Sequence, residues 1–200
     1  MRGINFAGAL DRDDPSPPSD RHLDVVRDAG FDTVRLPVKG TVHPAFPDLV
    51  DRAVHAALER GLDVVLDVHH FNDDAARLPS LWAQIARRYA SAPPGLHFEL
   101  LNEPHDPMTA GPVRWYTLGA LPQPMFLGEF GVIDRAALDE RAEWTALVRS
   151  EAERLGMSWA YWDFGTDFDA YDVTRDAWRA PLREALLGDE FRAAGPSPWT

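Results

Sequence analysis

Two glutamates, Glu103 in "ELLNEPH" and Glu129 in "LGEFG", stand 26 residues apart, each at the end of a run rich in apolar residues. An amide, a carboxylate and a proline in succession end a strand rather than extend it, and packing alone does not ask for them. Two carboxylates carried on separate strands, one holding a proton and the other a negative charge, are what cleavage of a glycosidic bond needs. Other polar side chains recur in the same setting. Arg35 closes the run "TVR", His69 and His70 follow "LDVVLDV", Asn102 precedes Glu103, and Trp162 with Asp163 ends "WAYWD".

Elements must bring these residues together. The runs at 62–68, 96–101 and 124–130 are nearly continuous in apolar character, which suits a parallel sheet covered on both faces. Strands are expected at 2–6, 32–37, 62–68, 96–101, 124–129 and 157–163. Helical patterns lie between them. "SDRHLDVVRDAG" offers Ser19 as N-cap and Gly30 as stop, and "PDLVDRAVHAALERG" runs from Pro47 to Gly61. Others start near Pro79, span about Asp134 to Leu155, and span about Ala177 to Leu187. A helix follows every strand except the fourth, an alternation that implies a parallel α/β fold. In such folds ligands bind at the carboxyl ends of the strands, where the polar residues above would share one rim.

The chain of 200 residues suits one domain: 1–190 reads as a single catalytic unit and 191–200 as a C-terminal tail. Acidic residues outnumber basic ones 32 to 20, which argues against a nucleic-acid partner. No apolar run approaches the roughly 18 residues of a membrane span. The absence of cysteine excludes disulfides and thiolate metal sites. Met1 and Arg2 lead straight into a strand with no signal peptide ahead of it, so the chain as it stands reads as intracellular or already processed.

The blocks "RGIN", "VRLPV", "DVHH", "ELLNEPHD", "FLGEFG" and "WAYWDFG", in this order, resemble the cellulase-type glycoside hydrolases of family 5, in the clan of retaining (β/α)8-barrel glycosidases. The resemblance covers roughly residues 1 to 190. It implies that Glu103 is the acid/base and Glu129 the nucleophile, and that Asn102 contacts the sugar 2-hydroxyl. It further implies that Arg35 supports the nucleophile and holds it ionised, that His69 and His70 line the subsite of the cleaved sugar, and that Trp162 is the platform beneath it. Glu103 would need a raised pKa, and in a retaining enzyme the two carboxyls lie about 5–5.5 Å apart. The implied substrate is a β-linked glucan, oligosaccharide or β-glucoside, and no cofactor is implied.

The pattern breaks between the glutamates. A regular barrel spends about 31 residues per strand-helix unit, so the 26 residues from Glu103 to Glu129 cannot hold the three units' length the family has there. The fifth and sixth units are missing, together with the family's His-x-Tyr block; Trp115 or Tyr116 stand as candidates to substitute for its tyrosine. The expected architecture is therefore a reduced or incomplete TIM-type barrel of about six parallel strands, with a shallow cleft and edges that invite pairing with a second copy of the chain. Plainer readings exist for each residue. Glu103 alone would be a solvated loop residue, Arg35 a surface ion-pair partner, and Trp162 a core residue, with Trp159 and Tyr161 as alternative inward aromatics. The pair His69 and His70 suits a metal, but no third ligand at suitable spacing is evident. The rival to a working glycosidase is a catalytically degenerate carbohydrate-binding barrel that keeps the site residues; a metal-dependent amidohydrolase stands third.

Overall fold

A computed structural model describes residues 1–39, 46–70, 77–103 and 125–188. Six parallel strands form one curled sheet: β1 (Arg2–Asn5), β2 (Thr33–Val38), β3 (Asp63–Val68), β4 (Leu96–Glu99), β5 (Phe126–Leu127) and β6 (Ser158–Tyr161). Their order across the sheet is β4-β3-β2-β1-β6-β5. This is part of a TIM-type barrel, and the missing part lies between β4 and β5, where the spacing of the two glutamates places it. Among the described residues no ladder joins those two strands.

Helices cover the outer face: α1 (Asp20–Ala29), α2 (Phe46–Leu58), α3 (Leu78–Arg88), α4 (Leu138–Arg154) and α5 (Ala180–Leu187). α1 shows how local chemistry sets an element. The Ser19 side chain accepts from the His22 amide at 3.2 Å, satisfying one of the four free donors of the first turn. At the other end Gly30 takes φ 107°, its amide donates to Arg27 and the Phe31 amide to Val26, a double bond pattern that needs a left-handed residue. That turn points Phe31 into the core against Trp159 and Trp178. Leu23 and Val26, one turn apart, bury the inner face of the helix. All six residues of β2 are buried, as expected of a central strand covered on both faces.

The main departures from the sequence reading are at boundaries. β2 continues to Val38, so Arg35 is its third residue rather than its end. β6 stops at Tyr161, and α4 starts at Leu138. A short antiparallel hairpin, β7 (Tyr171–Asp172) with β8 (Ala177–Trp178), precedes α5, which therefore begins at Ala180. It arises because the apolar pair Ala177–Trp178 pairs across a tight turn instead of starting the helix; Trp178 then packs edge-on against Tyr171 and Phe164. The Pro- and Gly-rich stretch with Trp115 and Tyr116, and the C-terminal tail, lie outside the described residues.

Candidate active site

The interior face of the sheet carries one buried cluster around Arg35. Register sets it: Asn5 pairs with Arg35 across β1–β2, and Asp67 with Glu99 across β3–β4. Alternation in each strand then turns these side chains to the same face. The Arg35 side chain is fully buried. Its Nε donates to Glu99 Oε2 at 2.7 Å and its Nη2 to Glu99 Oε1 at 2.9 Å, a two-point fork. Nη1 donates to Glu129 Oε1 at 2.5 Å and to Asn5 Oδ1 at 2.8 Å, while Nη2 also reaches Asp67 Oδ2 at 2.9 Å and Asn102 Oδ1 at 3.1 Å. Asn5 in turn donates from Nδ2 to the Gly128 carbonyl at 2.9 Å, which anchors the turn that carries Glu129.

Beside this cluster the buried His69 ring meets Asp67 Oδ2 through Nδ1 at 2.6 Å, leaving Nε2 facing Asn102 Nδ2 at 3.4 Å. Trp162 is half-buried and stacks on His69, centroids 5.5 Å apart and planes 7° from parallel. Trp159 and Tyr161, the alternative inward aromatics, are instead fully buried and pack against Phe130. The chain after β6 passes so close to the Glu129 turn that a Cβ on Gly131 would sit 1.9 Å from the Trp162 carbonyl oxygen. The Asn102 amide donates to the Val68 carbonyl at 2.9 Å, holding the end of β4 against β3. Glu103 follows directly, exposed and at φ 38°. His70 lies beside His69 at φ 48°, its ring perpendicular at 4.5 Å. Two non-glycine residues in left-handed backbone at one rim mark where local comfort yields to placement of side chains.

Burial shapes the electrostatics. It pushes the Glu129 carboxyl up, and the charge and hydrogen bond of Arg35 pull it back only in part, so the group sits above its ordinary value. The sequence reading has Arg35 simply holding Glu129 ionised; desolvation outweighs that effect because Glu129 is only a quarter exposed and Arg35 is shared with Glu99 and Asp67. Burial works against the Arg35 charge too, but the Glu99 hydrogen bonds and the three surrounding carboxylates outweigh it and the group titrates above its ordinary value. Burial and the neighbouring His69 lower the His70 imidazole. Asp163, wholly buried behind Trp162, is pushed up to about 6 by desolvation, against the backbone hydrogen bonds of Thr166 and Gly165.

Of the residues picked from sequence, Arg35, His69, Asn102, Glu129 and Trp162 thus converge, with His70 and Glu103 next to them on the same rim. Asn5, Asp67 and Glu99 were not picked. Each lies inside a block that drew attention, "RGIN", "DVHH" and "ELLNEPHD", and the alternation of side chains within those blocks is the signal that could have found them.

The cellulase (glycosyl hydrolase family 5) profile matches residues 12–120, more than half of the chain. Endoglucanase H of Acetivibrio thermocellus is 30% identical over 105 residues, covering 44% of this chain and 12% of that protein. Endoglucanase 1 of Ruminococcus albus is 34% identical over 101 residues, 41% of this chain and 25% of that protein. The chain therefore spans a quarter or less of the length of these two relatives. A structure of Thermotoga maritima Cel5A, in mutant form and in complex with cellobiose, superposes with a TM-score of 0.81 at 28% identity, over 94% of this chain and 96% of that one. The fold, the ordered blocks and the profile agree, and the chain belongs to the cellulase family, glycosyl hydrolase family 5.

Proposed function

We propose that the chain is a retaining glycoside hydrolase acting on β-linked glucans, short oligosaccharides or β-glucosides. The observation that carries this reading is the Glu129 carboxylate, held at 2.5 Å by the buried Arg35 guanidinium and accessible from the rim where Asn102 and Trp162 gather. In the first step a Glu129 oxygen bonds to the anomeric carbon as the glycosidic C–O bond breaks, and the leaving oxygen takes the Glu103 proton. In the second, water gives a proton to Glu103 and its oxygen displaces Glu129 from the sugar. On this reading Asn102, fixed by Arg35 and the Val68 carbonyl, holds the 2-hydroxyl. Trp162 offers a flat apolar face to the sugar ring, and its stack on His69 keeps that face steady.

Cellobiose in the superposed Thermotoga complex supports a glucan-type substrate. Among the described residues no ladder joins β4 to β5, which favours a second reading, a barrel that still binds sugar but turns over poorly. Turnover of an aryl β-glucoside and of short cello-oligosaccharides separates the two. Under the first reading Glu103→Gln loses about 10²–10⁴-fold in kcat and Glu129→Gln at least as much, with binding retained. Equal, residual rates in wild type and both variants, with oligosaccharide still bound, would support the second.

A further inference from the structure

The pair His69 and His70 lacks a third ligand in the sequence, and the fold supplies one. The chain leaving β1 makes a parallel bridge from Leu10 to Val38, and the His69 amide donates to the Val38 carbonyl at 2.8 Å. These two contacts on one residue of β2 bring Asp11 against the histidines, 58 and 59 residues later in the chain. One donor atom from each of Asp11, His69 and His70 lies within 4.8 Å of the other two. Asp11 Oδ1 is buried and has no hydrogen-bond partner among the described residues, an acceptor left without a proton or a charge to meet. His69 is oriented as a metal-bound histidine is, since Asp67 takes its Nδ1 side at 2.6 Å, and Nε2 would exchange its long contact with Asn102 Nδ2, 3.4 Å, for a ligand bond.

We propose that Asp11, His69 and His70 form a site for a divalent transition metal of the zinc type, with two imidazoles and one carboxylate as ligands. Ligand atoms about 2.0–2.1 Å from zinc in a tetrahedron stand roughly 3.4 Å apart, so donors within 4.8 Å of one another need to close by no more than about 1.4 Å. Water would complete the shell on the rim side. Asp67, His69 and Glu129 also bring donors within 4.8 Å, but Arg35 already holds that Asp67 and that Glu129, and a dication there would face a buried guanidinium. Among the described residues no such cation belongs to the Asp11 set: Lys39, whose charge reaches His70, is paired with Asp13 at 2.7 Å. Both nitrogen donors also lie in the subsite assigned above to the cleaved sugar. On that functional reading, bound metal and sugar exclude each other, and the metal acts as a competitive inhibitor.

Calorimetric titration of the whole chain with zinc chloride tests the site without reference to catalysis. One zinc per chain is expected, with affinity falling at least tenfold in Asp11→Asn and in His70→Ala, while circular dichroism confirms that both variants are folded. Cobalt(II) used as a visible probe should give the intense absorption of a four-coordinate ion in wild type and lose it in either variant. Absence of zinc binding in wild type, or equal binding in folded variants, overturns the site. Zinc bound at these residues without competition against cello-oligosaccharide keeps the site and removes only its overlap with the sugar.

Discussion

Arg35 carries one charge and faces three carboxylates, so its contacts with Glu99, Asp67 and Glu129 compete for the same guanidinium. Replacing it by lysine removes the planar fork while leaving a charge. We expect Arg35→Lys to lower kcat/KM by about 10²-fold. Glu129 must be ionised to attack, so activity rises with pH through its pKa. Burial has already raised that pKa, and Arg35 is the main group that restrains it, with His69 adding to the effect, so the acidic limb of the pH profile should move to higher pH in the variant. A limb that stays put or moves down would show that Arg35 does not tune Glu129. Asp163 gives a separate signal in stability. Its folded value of about 6 lies above the ordinary 3.8, so the native state holds its proton more tightly than the unfolded chain. The resulting stabilisation, on the order of 3 kcal/mol, is fully present below about pH 4 and disappears as pH rises through about 6. Urea unfolding of Asp163→Asn should show a flatter loss of stability across that interval than wild type; parallel curves would refute the assignment.

Elements place the site through their ends and their close approaches. The turn after β5 can lie against the chain after β6 only because Gly131 has no side chain, the Trp162 carbonyl being where a Cβ would go. Gly131→Ala must therefore push the Glu129 turn and Trp162 apart. A cost of about 1–3 kcal/mol in stability is expected from overpacking, with kcat falling more steeply than KM rises because the nucleophile and the platform shift together. Thermal unfolding combined with steady-state kinetics checks both, and unchanged kinetics in a folded variant would mean the contact relaxes away from the site. Most of this level was legible beforehand. Strand and helix positions followed from apolar runs, caps and glycine stops, since those signals are local. The β7–β8 hairpin was not legible, because Ala177 and Trp178 fit a helix start equally well until Trp178 finds Tyr171 and Phe164.

Across the whole molecule the packing is uneven. β1, β2, β3 and β6 with α1, α2 and α5 carry most of the fully buried side chains, among them Ile4, Leu23, Leu66, Trp159 and Leu186. α3 buries none of its residues completely, and Phe98 on β4 and Leu100 just after it stay exposed. Exposed too are Trp144 and Leu147 on α4, towards the other end of the sheet. Local opening should begin at the thin side, so amides of α3 and β4 are expected to exchange with solvent faster than those of α1 and β2 in native-state hydrogen exchange. Equal protection throughout would mean the shortened barrel unfolds only as one unit. The sequence alone determined the kinds of element, their order, the shortening between Glu103 and Glu129, and the strand ends where polar groups collect, because each of these rests on spacing along the chain. Only the tertiary structure decided that Asn5, Asp67 and Glu99 surround Arg35, that Asp11 meets the two histidines, and that burial outweighs Arg35 at Glu129. Those outcomes depend on lateral register between strands and on how much water each group loses, and both are settled by residues distant in the chain.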